Sequence, residues 1–393
     1  MAIYLDNNAT TRTAPEAVAA MLPFFTTHFG NASSLHGFGA EAAAAMRQAR
    51  RQVQALIGAA QDHEIVFTSG GTEANTTAIR AALAVQAGRG EIVTSTVEHP
   101  AILQLCDGLE RFEGVKVHRI AVDGDGRLDL DAYRASLSDR VAVVSLMWAN
   151  NETGTIFPVD GLAAMAHRVG ALFHSDAVQA AGKLPLRLAE TEIDMLSLSA
   201  HKFHGPKGVG ALYLRKGTAF RPLLRGGKQE RGRRAGTENV PGIVGAGVAA
   251  ERALARLDEA PRIAALRDRL EQGILSRIGR VLRLGDLRDR LPNTAALAFD
   301  YAEGEAILMK LNAAGIAASA GSACASGAME PSHVIRAMKV PFTAAHGAIR
   351  FSLSAETTAE DIDRVIEVLP GIVDDLRGLT PFWAEAQGGR HVA

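Results

Sequence analysis

Cysteine is scarce in this chain: Cys106 and Cys324 are the only two. Two thiols cannot build a disulfide framework, so a reducing, cytoplasmic setting is the expectation. Charge imbalance is missing too. Against 42 lysines and arginines stand 43 aspartates and glutamates, a formal net charge of −1. That argues against a broad basic face for nucleic acid and against an acidic tail. No uninterrupted apolar run is long enough to span a bilayer, so no membrane partner is expected. The opening segment, residues 1–8, carries an early acid and no long apolar stretch, and does not read as a signal peptide. Internal repeats and low-complexity linkers are absent.

What is present points to an α/β protein. At 393 residues the chain is too long for one ordinary core, and 47% apolar residues suffice to fill a substantial one. Strand-like runs at 64–68, 91–95, 141–148, 171–179 and 193–199 alternate with helical patterns such as 40–57 and 162–169. Such alternation predicts a large, doubly wound, mostly parallel sheet. Beyond it, a long helix over 244–278 is expected to bridge to a smaller α+β unit. That unit has strands near 294–299 and 348–353 and helices near 303–314 and 359–376, the last kinked at Pro370.

Several strand ends carry chemistry. The run from Ile193 ends in Ser199-Ala200-His201-Lys202, and the run before it ends in Asp176 and Gln179. Strand ends line the ligand crevice of an α/β sheet. A lysine and an aspartate in one crevice suit a pyridinium cofactor: one forms an imine with the aldehyde, the other holds the ring nitrogen protonated. The bland alternative is a surface lysine after a strand. Ser69-Gly70-Gly71-Thr72 passes from a strand into a helix and exposes backbone N–H groups suited to phosphate, although an ordinary glycine turn has the same appearance. His99 can stack on a flat ring, move a proton, or serve as a hydrogen-bonded loop residue. The paired amides Asn150 and Asn151 can cap a turn or hold a ligand. Cys106 sits in an apolar helical pattern and reads as a buried core thiol. Cys324 has only small neighbours, a setting that leaves its sulfur open to attack. Arg350 can clamp a carboxylate or make a structural ion pair. The glycine-rich basic stretch 225–239 reads as a flexible solvated loop, since no aromatics interleave with its charges.

Taken in order, these segments resemble the cysteine desulfurases of the NifS/IscS type, within the class V, fold-type I pyridoxal-phosphate enzymes. The residues carrying the resemblance are Tyr4 to Thr11, Thr68 to Asn75, Glu98-His99-Pro100, Asn150 to Gly154, His174 to Gln179, Ser199 to Lys202, Arg234 to Asn239 and Gly321 to Cys324. The wording at Trp148 to Gly154 and at Gly236 to Asn239 is closer to the nitrogenase-associated NifS branch. The resemblance implies a pyridoxal-phosphate domain over 13–258 and a small domain over 1–12 plus 259–393. It implies Lys202 as the imine-forming lysine, Asp176 on the ring nitrogen, Gln179 on the ring oxygen and His99 stacked on the ring. It places Gly71, Thr72, Ser199 and His201 on the phosphate, with Thr237 reaching the phosphate from the partner subunit of a homodimer. Asn151 lies near substrate and ring, and Arg350 binds the carboxylate of L-cysteine. Cys324 carries the persulfide to a sulfur-accepting iron–sulfur scaffold protein, with any cluster ligation at Cys324 transient and shared. Two rival readings are another pyridoxal enzyme, such as an aminotransferase or selenocysteine lyase, and a non-catalytic module that keeps the fold.

Overall fold

The computed structural model describes residues 2–320, 330–380 and 383. Among these, seven strands form the main sheet: β2 (Ile65–Thr68), β3 (Glu91–Ser95), β4 (Lys116–Ile120), β5 (Val141–Met147), β6 (Leu172–Asp176), β7 (Met195–Ser199) and β8 (Gly210–Leu214), in the order β2-β8-β7-β6-β5-β3-β4. β3 to β7 pair in parallel, and β8 alone runs antiparallel to both its neighbours. Strands covered on both faces need apolar residues at every position. β5 meets that demand, with all seven residues buried.

Helices cover both faces. The alanine-rich helix Gly37–Ile57 buries Ala42, Met46, Ala49, Val53 and Leu56, a stripe at helical spacing, and ends on Gly58 in the left-handed region. It packs closely on helix Val240–Ala255: a Cβ at Gly247 would lie 2.5 Å from the Ala49 backbone. The expected long helix over 244–278 is instead two helices, Val240–Ala255 and Ala260–Leu275, separated by a short turn at Leu257–Glu259. Pro261 sits in the first turn of the second helix, where a missing N–H costs nothing.

A second core gathers Leu5, Leu270, Ile274, Leu297, Phe299, Phe351 and Val373. Around it β9 (Val281–Arg283), β10 (Thr294–Phe299) and β12 (Ala348–Ser352) form an antiparallel sheet in the order β12-β10-β9. β1 (Ile3–Tyr4) pairs in parallel with β11 (Ile316–Ala317), which ties the first residues to this unit. The C-terminal helix Ala359–Gly378 continues through Pro370 as one element. Residues 334–348 pack on the large core rather than this one. No described helix is long and apolar enough to cross a membrane.

Candidate active site

The parallel strands end along one edge of the sheet, and the segments that follow them enclose a cavity of about 620 Å³. This is the position and size expected for a ligand site in an open α/β sheet. Lys202 comes from the turn after β7, Asp176 from the end of β6, His99 from the segment after β3 and Asn151 from the turn after β5. Gly71 and Thr72 open helix Gly71–Val85 directly after β2. All of these line the cavity, with Gln179, Ser199, His201 and Arg350. Gly210 permits the closeness of β2's turn to β7: a Cβ there would lie 2.5 Å from the Gly70 carbonyl carbon.

Each side chain is held by identifiable partners. Asp176 is buried; its Oδ2 accepts from Asn75 Nδ2 at 2.7 Å and its Oδ1 from the Val178 N–H at 3.0 Å. Both bonds fix the orientation of the carboxyl group. Asn75 stands one turn after Gly71 on the same helix face. Lys202 Nζ donates to the Asn8 and Ala9 carbonyls, both at 2.7 Å. His99 caps helix Pro100–Glu113, its Nδ1 accepting from the Ala101 N–H at 3.1 Å. That bond puts the ring proton on Nε2. Burial, with the helix N-terminus and nearby Lys202, holds the imidazole neutral by lowering its pKa. His201 contacts Thr10 Oγ1 through Nδ1 at 3.1 Å, and burial next to Lys202 and Lys207 lowers its pKa to about 4.

The two asparagines separate cleanly. Asn150 is a turn cap: its Oδ1 accepts from the Glu152 and Thr153 N–H groups and its Nδ2 donates to the Val97 carbonyl. Asn151 lines the cavity, and its carbonyl accepts from Arg350 Nη1 at 2.9 Å. Arg350 makes the structural ion pair that its sequence allowed, and it also lines the cavity. It is only 3% exposed, pairs with Asp6 at 2.7 Å, and still faces the cavity.

Asn75 Oδ1, Glu152 Oε2 and Arg350 Nε, buried polar atoms of residues that line the cavity, have no partner among the described residues. Buried polar groups are normally satisfied, and the wall also carries Asp176, Gln179, Ser199 and His201, so it offers polar groups to an occupant. Together with an amine, a paired carboxylate, a neutral histidine and a helix N-terminus beside a serine and a histidine, it fits a phosphorylated pyridine carrying an aldehyde. A Cβ at Gly71 would meet Val178 Cγ2 at 2.8 Å, so the helix start has no room for a side chain.

Thr237 is not brought to this cavity. It lines a separate cleft with Ser69, Arg234 and Glu238. Cys324 lies outside the described residues. Cys106 is fully buried in an apolar cluster, and burial pushes its thiol up to about 12. The basic stretch 225–239 is pinned rather than free. Glu230 is buried with a left-handed backbone and takes a bidentate bond from Arg50 at 2.6 and 2.7 Å, while Arg234 pairs with Glu73 at 2.9 Å. The sequence reading did not single out Asn8, Asn75, Glu98, Glu152 or Lys183 as site residues. For Asn75 the available signal was its spacing from Gly71. For Asn8 and Glu98 it was a polar residue beside a strand end.

The aminotransferase class-V family model matches residues 3–365. A cysteine desulfurase of Cereibacter sphaeroides is 72% identical over 383 residues, covering 98% of each chain. The cysteine desulfurase NifS of Azotobacter vinelandii is 60% identical over 383 residues, covering 97% of this chain and 95% of that one. A solved structure of a NifS-like protein superposes with a TM-score of 0.89 at 38% identity, covering 96% of this chain and all of the other.

Proposed function

We infer the working of the site from one premise: the chain belongs to the class-V aminotransferase family and, within it, is a pyridoxal-phosphate-dependent cysteine desulfurase. It converts L-cysteine to L-alanine and transfers the sulfur to an enzyme cysteine. The observation that carries our assignment of residues is the convergence of Lys202 and Asp176, from the paired strands β7 and β6, on one cavity.

When bound, pyridoxal phosphate supplies an aldehyde and a ring that takes up electron density from the substrate's Cα. Lys202 would hold that aldehyde and would serve as the base for the substrate's Cα proton. Asp176, oriented by Asn75 and Val178, keeps the ring nitrogen protonated. Gln179 donates to the ring oxygen. His99 would lie against the ring, carrying its own proton at Nε2. The first N–H groups of helix Gly71–Val85, with Thr72, Ser199 and His201, hold the phosphate. Arg350 takes the substrate carboxylate beside Asn151. The Cys324 thiolate attacks the substrate sulfur: a sulfur–sulfur bond forms, the carbon–sulfur bond breaks, and its electron pair stays with carbon and is protonated to give alanine.

We further propose a homodimer in which Thr237 reaches the phosphate of the neighbouring subunit. Phe25, Phe29, Leu35 and Phe38 are exposed within a short stretch of chain, an apolar surface suited to burial in such an interface. The persulfide passes to an iron–sulfur scaffold protein, any cluster at Cys324 being shared with it. The 60% identity to NifS of Azotobacter vinelandii supports nitrogenase cofactor maturation as the destination. A cytoplasmic setting accords with the absence of a described membrane-spanning helix and with the free, buried Cys106. The division into 13–258 and 1–12 plus 259–393 is supported by the second core, which includes both Leu5 and Val373, while residues 334–348 within the smaller unit pack on the large core.

The test is release of alanine and sulfide from cysteine, with and without thiol alkylation. Lys202→Ala abolishes both products. Cys324→Ala keeps the coloured cofactor and loses persulfide formation; turnover of the Cys324 variant at the native rate would refute the nucleophile assignment.

A further inference from the structure

We propose that Lys183 is a positioning residue: it locks the Gln179 and Asn8 side-chain amides in one orientation, so that Gln179 presents N–H to a ring bound in the cavity. The inference rests on the assignment of Gln179 to the ring oxygen.

Lys183 stands four residues after Gln179, beyond Gly182, whose positive φ turns the chain back against Phe203. Its side chain points behind the cavity wall. There it borders a small separate void of about 70 Å³, shared with Asn7, Thr11, Lys202 and Asn293. Lys183 Nζ lies 2.5 Å from Gln179 Oε1 and 3.0 Å from Asn8 Oδ1. A lysine in these contacts only donates, so both amides must turn oxygen toward it.

That choice propagates. With Oε1 occupied, Gln179 Nε2 donates one hydrogen to the Asn8 carbonyl at 2.9 Å. The second hydrogen remains for the cavity that Gln179 lines. Asn8 Oδ1 also accepts from Asn293 Nδ2 at 3.0 Å, so Asn8 Nδ2 faces the Asn151 carbonyl at 3.1 Å and Thr294 Oγ1 at 2.9 Å. The Asn8 carbonyl carries Lys202 Nζ as well. The Lys183 amine, acting with the Asn8 and Asn151 carbonyls, thus holds the donor and acceptor sense of a network that reaches the reactive lysine.

Among the described residues, no carboxylate contacts Lys183. Burial, with Lys202 and Arg350 nearby, pushes its pKa well below the usual lysine range. Either protonation state has a hydrogen for each amide oxygen, and the Asn8 and Asn151 backbone carbonyls, which can only accept, hold the two amide nitrogens in the matching sense. A buried amine without an anion is costly; order in two cavity amides is what it supplies here.

The test is the pH at which the visible band of the cofactor-loaded enzyme shifts, measured in wild type, Lys183→Met, Gln179→Leu and the double variant. A donor on the ring oxygen competes with the proton on the adjacent imine nitrogen for the same electrons, so its loss raises the midpoint. Each single variant is expected to raise it by about one pH unit or more, the scale of one hydrogen bond to a charged oxygen. The double variant should shift no further than Gln179→Leu alone. An unshifted midpoint in Lys183→Met overturns the proposal. So does a Lys183→Met shift of equal size in the Gln179→Leu background, which would mean that the amine acts on the ring by its own field. An unshifted Gln179→Leu sinks the Gln179 assignment itself, and is recognised because that variant fails alone. Should Lys183→Met not accumulate folded, Lys183→Gln, too short to reach both amides, is measured in the same cycle.

Discussion

Replacing Glu98 by glutamine should make the enzyme more stable at pH 8 than at pH 5, relative to wild type. Glu98 is fully buried between the end of β3 and helix Pro100–Glu113. Its Oε1 accepts from Ser95 Oγ at 2.7 Å and from the Met147 N–H at 3.0 Å, while Oε2 has no partner among the described residues. Burial, with the Asp176 carboxylate adding to it, pushes its pKa up to about 8 against the two hydrogen bonds. An unfolded glutamate titrates near 4.3. Between these values the folded protein holds a proton that the unfolded chain has released. Stability from this group is therefore complete below about pH 4 and drains away as pH rises through about 8.

The slope is at most about 1.4 kcal/mol per pH unit, so the whole window is worth roughly 5 kcal/mol at its upper limit. Glu98→Gln keeps an oxygen for Ser95 and Met147 but cannot ionise. The difference between variant and wild type should be near zero at about pH 4, reach about 1 kcal/mol by pH 5, grow up to pH 8, and then level off. For a chain of this size about 1 kcal/mol moves the thermal midpoint by roughly 1 °C, so the separation reaches several degrees at most. The assay is the thermal midpoint of both proteins from pH 5 to 9, each saturated with cofactor. A difference that stays flat with pH would refute the displaced pKa. A difference that reverses, with the variant losing ground at high pH, would show that Ser95 and Met147 stabilise the carboxylate outright.

Arg350→Lys should raise KM for cysteine about tenfold or more while retaining the coloured cofactor, because a point charge cannot reproduce a fork that also holds Asp6 and the Asn151 carbonyl; steady-state kinetics check it. Asp176→Asn should cut alanine release about a hundredfold or more and weaken cofactor binding in equilibrium dialysis, since the amide loses the charge and its N–H₂ confronts the Asn75 donor. Glu230→Ala strands Arg50 beside Phe67 and removes the anchor of the 225–239 stretch; about 3 kcal/mol of stability is expected to go, read as a lower thermal midpoint.

The site was legible where chemistry sits at the end of a buried strand. Apolar runs such as 141–147 announce parallel strands because both faces are covered, and the polar residues that stop them mark the crevice. The break in the expected 244–278 helix was harder to see, since apolar spacing continues across it. Pro261, tolerated at a helix start and damaging in an interior, was the one local clue. The 225–239 stretch misled for a different reason. Its composition is that of a solvated loop, yet its order comes from Arg50 and Glu73, 180 and 161 residues away from their partners. Lys183 shows the same limit most sharply. In sequence it is a lysine after a glycine turn, the common form of a surface residue. Only folding brings it to Asn8, 175 residues away, and makes its three-atom contact with two amides a statement about which way a donor faces. Local pattern thus reports which segments supply a site. The orientation of groups within it is set by pairings that cross the chain, and these are the pairings that Lys183→Met and Glu98→Gln disturb.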